Sequence, residues 1–326
     1  MMRTQKPNRW ISAVILVGIA AFAPPVVAED LKPIAIPGDR AYPESISASS
    51  DGTIYISSIA SGGLARAKPG VSTAEPWIEP GAFGTRTTFG VLVDEKTNTL
   101  WVCSNDISAM GVPGPGTVEG AYLKGFDLAT GEGKFSAEFP GKAHVCNDMV
   151  IAPDGTMYVT NTAAPQILRL KPGAKELEIW LENDLLAPKN GAGLDGIAFG
   201  DDGNLYVNTF GGSEFFRVTL KDGAPGIVTK LETSRPIKNP DGLRHLSGNT
   251  FLMAEGGGAV DRITVNGEKV DIETLRDGLA GPTSVAKVGE TVWVGEGQLG
   301  HLFAAKDNGP PTLPFRIVPI AIGKLN

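Results

Sequence analysis

Polar and apolar positions alternate in short bursts along most of this chain, and the bursts come in pairs. The stretch Cys146-Asn-Asp-Met-Val-Ile-Ala-Pro-Asp-Gly-Thr-Met-Tyr-Val-Thr-Asn161 shows the unit. An apolar run leads to an Asp154-Gly155 turn, a second apolar run leads away, and oxygen-bearing side chains stand at both open ends. Period-two alternation around an Asp-Gly pair predicts a β-hairpin. The pattern returns at residues 44–58, 89–103, 194–208, 241–255 and 282–296. The first apolar residues after the turns are Ile54, Leu100, Met157, Leu205, Phe251 and Val292, at intervals of 46, 57, 48, 46 and 41 residues. A further strand is predicted behind each hairpin, at 64–68, 123–127, 166–170, 215–219, 259–264 and 300–304.

Six repeats of this size, each with about four short strands, predict an all-β fold: a six-bladed β-propeller with four-stranded antiparallel blades around a central channel. Helical periodicity is confined to residues 175–186, so the helices that a parallel α/β sheet needs between its strands are missing. Residues 31–37 and 315–322 are both strand-like. One is expected to supply the outer strand of the other's blade, closing the ring and removing its open edges. The longest insertion, residues 105–122 with Gly111-Val-Pro-Gly-Pro-Gly-Thr117, is placed over the channel mouth, as a lid or as a stiffened surface loop.

Composition adds the compartment. Arg3, Lys6 and Arg9 precede an apolar run from Trp10 to Ala23, and Val26-Val-Ala28 supplies a small residue before Glu29. Residues 1–28 therefore read as a secretory signal peptide and 29–326 as a single propeller domain, periplasmic or secreted, with no stable membrane span after cleavage. The formal charge of the whole chain is −7; the leader holds three basic and no acidic residues, leaving −10 for the remainder. An acidic chain without a basic stripe argues against nucleic-acid partners. The only cysteines are Cys103 and Cys146, at strand ends of neighbouring repeats. Export permits a disulfide between them, and two separate buried thiols are the alternative.

The candidate chemistry lies at the first position of each hairpin. Ten residues before Ile54, Met157, Leu205 and Phe251 stand Glu44, Asn147, Asp195 and Asp241. The second and sixth repeats have Gly90 and Pro282 there, with Phe89 and Thr283 beside them. Radial symmetry points such positions at one axis and one depth. Three converging carboxylates repel one another, with no Lys or Arg found in an equivalent register to pair them. A hard divalent cation relieves this, and an all-oxygen set suits Ca2+ first, with Mg2+, Mn2+ or Zn2+ as alternatives. The competing reading is that these residues cap turns on their own backbone. Asp51, Asp154 and Asp202 belong to the turns at the far end of the hairpins. At the strand ends facing the site, Asn161, Asn208, Glu255 and Glu296 are candidates to orient ligands or bind water, with Asp148 beside Asn147. His144 is a candidate proton shuttle or a loop histidine; His245 and His301 fall inside predicted strands.

Pro43-Glu44, Asn147-Asp148, Leu194-Asp195-Gly196 and Pro240-Asp241-Gly242, in this order and register, resemble the regucalcin/gluconolactonase family of six-bladed propellers. The resemblance implies a metal held by Glu44, Asp195 and Asp241, with Asn147 coordinated or contacting substrate. It implies hydrolysis of a lactone or related ester, with Asp241 as general base or water-positioning carboxylate. His144 is the second catalytic candidate, and Asn147, Phe89 and Asn161 are the candidates for substrate contact. Two positions depart from the family pattern. Asp195 stands where Asn is frequent, adding negative charge. Val145 stands where sugar-lactone hydrolases of this kind carry Arg, which makes a less polar lactone or ester a candidate substrate. The competing functions are a non-catalytic propeller that binds a small molecule or protein and keeps calcium for stability, and synthase or lyase chemistry in the same bowl.

Overall fold

The computed structural model describes residues 1–2 and 31–321. The leader assigned to residues 1–28 lies, except for its first two residues, outside the described residues. Residues 32–321 fold as a six-bladed β-propeller. Each hairpin of the sequence pattern forms the two inner strands of a blade. In the third blade these are Cys146–Ile151 and Met157–Asn161, followed outward by Gln166–Leu170 and Glu178–Glu182. The inner strands of successive blades pack against one another around a closed ring, the sixth returning to the first.

The turns are as local chemistry dictates. Asp51, Asp154 and Asp202 each accept a hydrogen bond from the backbone N–H two residues on, at 2.9, 2.9 and 3.0 Å. The core is a series of apolar layers between neighbouring blades. Tyr158 and Trp180 of the third blade, for example, pack with Ile197, Val207 and Phe216 of the fourth. Ring closure uses both termini: Ile34–Ile36 pairs antiparallel with Phe315–Ala321 as the outermost strand of the sixth blade. The cysteines form a disulfide, Cys103–Cys146, joining the second strand of blade two to the inner strand of blade three.

Two elements depart from the sequence expectation. Residues 175–186 are not a helix: Glu178–Glu182 is the outer strand of blade three, and only the 3-10 turn Asp184–Leu186 follows. Residues 300–304 are not the third strand of blade six. Gly300–Phe303 and Ala305–Asn308 are single helical turns, and Phe315–Ala321 takes the strand position. His301 is therefore in a helical turn, with Nδ1 3.0 Å from the Gly309 carbonyl oxygen. His245 lies in a strand, Pro240–Ser247, with Nε2 3.0 Å from the Gly248 carbonyl oxygen.

Candidate active site

A repeated backbone device positions the channel-facing groups. In blades two to six the pairing between the two inner strands shifts register near the channel end. The shifts fall between Thr88 and Val91, Cys146 and Met149, Leu194 and Ile197, Pro240 and Leu243, and Pro282 and Ser284. Such irregularities re-aim side chains, and they enclose Phe89, Asn147, Asp195, Asp241 and Thr283.

The residue after the aimed side chain is glycine in blades two, four and five, and at two of these positions the next blade's backbone comes very close. A methyl group on Gly90 would overlap the carbonyl oxygen of Asn147, and one on Gly196 would overlap that of Asp241. Each glycine thus lets the polar residue of the next blade come close. Side chains of the second strands complete the staple. Thr160 Oγ1 donates to the Asp195 carbonyl at 2.7 Å, and Asn208 Nδ2 donates to the Asp241 carbonyl at 2.7 Å.

Glu44, Asn147, Asp195 and Asp241 are brought together at one cavity of about 330 Å³, and each is 3–4% exposed. Asn147 Nδ2 donates to Thr162 Oγ1 at 2.9 Å and to Asp195 Oδ2 at 3.2 Å. The Asp195 and Asp241 carboxylates lie close enough for the charge of Asp195 to act on Asp241. Burial, and then the neighbouring carboxylates, push the acids upward. Asp195 rises to about 7, chiefly through desolvation and then Asp148. Glu44 lies well above the usual carboxylate range through burial and then Asp195 and Asp148; Asp241 does so through burial and then Asp195 and Glu44.

Glu44 Oε2 and Asp195 Oδ1 are buried with no hydrogen-bond partner. Orphaned carboxylate oxygens in an all-oxygen set fit a hard cation by donor chemistry. Among the described residues, no three His, Cys, Asp or Glu side chains already stand in a metal-enclosing arrangement.

The sequence reading missed Arg244. It lies on the inner strand of blade five, and its Nη1 donates to Asp148 Oδ2 at 2.6 Å. Its charge acts on Glu44, Asp195 and Asp241. The carboxylates therefore do have an internal cationic neighbour. The available signal was positional. The residues three beyond Glu44, Asn147 and Asp195 are Ser47, Val150 and Ala198, whereas three beyond Asp241 stands a charged side chain.

Several predicted residues stand elsewhere. Asn161 is fully buried and spends its amide on local backbone: Oδ1 accepts from Val145 and Ala163 N–H, and Nδ2 donates to the Ala143 carbonyl. It does not line the cavity, and its neighbour Thr162 does. His144 is also outside the lining; its Nε2 lies against Gly120, 3.6 Å from where a Cβ on that glycine would sit. Glu255 and Glu296 bind Arg235 and Arg316, at 2.6 and 2.5 Å. Phe89 does line the cavity. So do Ile107 and Met110 of the long insertion, which Arg86 anchors through an ion pair to Asp106 at 3.0 Å and a hydrogen bond to the Val118 carbonyl at 3.2 Å.

Six blades of four antiparallel strands, the fifth extended by the short parallel strand Glu232–Thr233, with the polar set at the inner ends of four of them, define a six-bladed β-propeller with a carboxylate-floored channel mouth. Among solved structures the chain is similar to a gluconolactonase from Xanthomonas campestris, at 17% identity and TM-score 0.59 over 81% of this chain and 92% of that one. It is similar to the calcium-binding protein regucalcin from Agrobacterium tumefaciens, at 17% identity and TM-score 0.59 over 89% and 97%. It is also similar to virginiamycin B lyase from Staphylococcus aureus, at 17% identity and TM-score 0.54 over 79% and 92%. No family model and no curated protein sequence matches the chain. At these identities the likeness is one of fold, and a gluconolactonase and a lyase share it.

Proposed function

We propose that this protein hydrolyses a lactone or related ester in the channel mouth. The observation that carries the reading is the gathering of Glu44, Asn147, Asp195 and Asp241 at one cavity by four different blades. These four residues would hold a divalent cation, calcium before magnesium, manganese or zinc. When bound, such an ion supplies Lewis-acid polarisation of the ester carbonyl and charge stabilisation of the developing oxyanion. Asp241 is the general base or water-positioning carboxylate. Burial and the neighbouring carboxylates Asp195 and Glu44 raise its proton affinity, which makes it a stronger base towards water. The backbone N–H of Gly242 donates to Asp241 Oδ1 at 2.9 Å and holds its orientation. The amide of Asn147 is fixed by Thr162 and Asp195 and presents a neutral group to substrate. The reading takes the chain as periplasmic or secreted; the Cys103–Cys146 disulfide is in keeping with an oxidising compartment.

The test is a panel of sugar, alkyl and aromatic lactones assayed while calcium is removed by chelation and restored. Reversible calcium-dependent hydrolysis that Asp241→Ala abolishes is the expected result. Hydrolysis unchanged in Asp241→Ala would overturn the mechanism. Calcium binding without turnover of any lactone would make this a binding propeller instead.

A further inference from the structure

The wall above the carboxylate floor has a chemistry of its own. Ile59, Phe89, Val145 and Phe210 come from four successive blades and face one cavity. At the mouth stand Met110, from the long insertion, and Phe303, from the helical turn after the second strand of blade six. Both are large apolar side chains left in water, at 57% and 41% exposure. Beyond the floor, the polar side chain on the lining is Thr162, and its hydroxyl is already committed. It donates to the Leu194 carbonyl at 2.7 Å and accepts from Asn147 at 2.9 Å. No Lys, Arg or His side chain lines the cavity among the described residues.

From these observations, and resting on the hydrolase reading above, we infer that the substrate is an uncharged lactone or ester bearing an alkyl or aryl substituent. Its polar head sits at Asn147, Asp195 and Asp241, and its apolar substituent runs along Phe89 and Phe210 towards Met110 and Phe303. A polyhydroxylated ring would bury hydroxyl groups opposite a wall that offers them no side-chain partner, which weakens binding by about tenfold or more for each group left unpaired. An anionic substrate would meet a floor that stays net negative when Arg244 and a bound divalent cation are set against Glu44, Asp148, Asp195 and Asp241, and no basic side chain lines the wall to pair it. An apolar substituent gains about threefold to fourfold per buried methylene. The cavity volume of about 330 Å³ falls within the range of small-molecule sites.

The experiment uses the whole chain with calcium and two matched series. One is γ-lactones from unsubstituted to octyl-substituted, together with an aldonolactone. The other is the corresponding γ-alkyl lactams, which resist hydrolysis and report binding by calorimetry. The expected result is that kcat/KM and lactam affinity both climb by about threefold per methylene over the first several carbons. The aldonolactone should fall well below the butyl-substituted lactone. Phe303→Ser and Met110→Ser change exposed side chains and should lower the ratio of octyl to unsubstituted kcat/KM by about tenfold each. Hydrolysis that ignores chain length, or prefers the aldonolactone, overturns this substrate class and leaves the hydrolase reading standing. Lactam affinity that climbs with chain length without hydrolysis of any lactone overturns the hydrolase reading and leaves the ligand class standing. Neither hydrolysis nor lactam binding overturns both.

Discussion

Arg244 Nη1 lies 2.6 Å from Asp148 Oδ2, an ion pair that runs from the inner strand of blade five to that of blade three, past the blade between them. The Asp148 side chain is 4% exposed and the Arg244 side chain 18%, and Nη2 reaches to 3.5 Å from Ser45 Oγ of blade one. Three blades are thus tied at the level of the carboxylates. Removing one partner of a buried pair strands the other charge, at a cost of about 3–5 kcal/mol, whereas removing both is far cheaper. Arg244→Met should lower unfolding stability by about that amount, and adding Asp148→Asn should restore most of it. Urea denaturation of the two single variants and the double variant measures the coupling. Additive effects would show that the pair does not act as a unit.

The acids of the floor set activity against stability. Asp195 and Asp241 are both raised by burial and by neighbouring negative charge. Asp241→Asn keeps the shape and removes a charge. Loss of the group should cost about 10²-fold or more in lactone kcat/KM. The same change should raise the melting temperature of chelator-treated protein by about 2 °C or more, because repulsion is relieved. A lower melting temperature alongside the lost activity would instead mark Asp241 as a structural residue.

The ring was legible because its signals are local. Alternation over a few residues and an Asp-Gly turn identify a hairpin wherever it lies, and equal spacing from the turn carries Glu44, Asn147, Asp195 and Asp241 to the same depth. What escaped the sequence depends on neighbours distant along the chain. Residues 300–304 read as a strand, yet they form a helical turn because Phe315–Ala321 supplies the pairing that Thr291–Glu296 needs. Asn161 and Asn147 look alike at two ends of one hairpin, but the local loop claims the former and blade four the latter. Arg244 was overlooked because its partner lies 96 residues away. Phe210 joins the cavity from a turn and Phe303 from a single helical turn, and no periodicity encodes the course of either.

A second acidic pair, away from the channel floor, predicts a pH dependence. Glu255 Oε1 and Asp261 Oδ2 are buried without hydrogen-bond partners, and the charge of Glu255 acts on Asp261. A proton held by Asp261 and donated to Glu255 satisfies both, with Arg235 Nη2 2.6 Å from Glu255 and 2.7 Å from Asp261. Burial, then Glu255, raise Asp261 to about 7, against an ordinary value near 4. A carboxyl raised in the folded state contributes stability that is complete below its unfolded value. That stability is lost as pH rises through the folded one, so the window runs from about pH 4 to about 7. Asp261→Asn keeps a donor towards Glu255 and no longer titrates. Melting temperature should therefore fall between pH 5 and 8 more steeply in the parent chain than in Asp261→Asn. Parallel curves would refute the shared proton.

The glycines that follow the aimed side chains give the sharpest test of how the site is built. On Gly90 a methyl group would strike the carbonyl oxygen of Asn147, and on Gly196 that of Asp241; both obstacles are backbone in the next blade. On Gly242 the nearest atom, the Thr283 carbonyl oxygen, would be 2.9 Å away, a milder conflict. Overpacking of this kind typically costs about 1–3 kcal/mol. Because the struck atoms carry site residues, displacement should also reduce kcat/KM, by up to about 10²-fold for a shift near 1 Å. Gly90→Ala and Gly196→Ala should both exceed Gly242→Ala in lost stability and in lost lactone turnover. Denaturation and kinetics of the three variants decide it. Equal effects at all three positions, or lost stability without lost turnover, would mean that close approach between blades does not set the positions of Asn147 and Asp241.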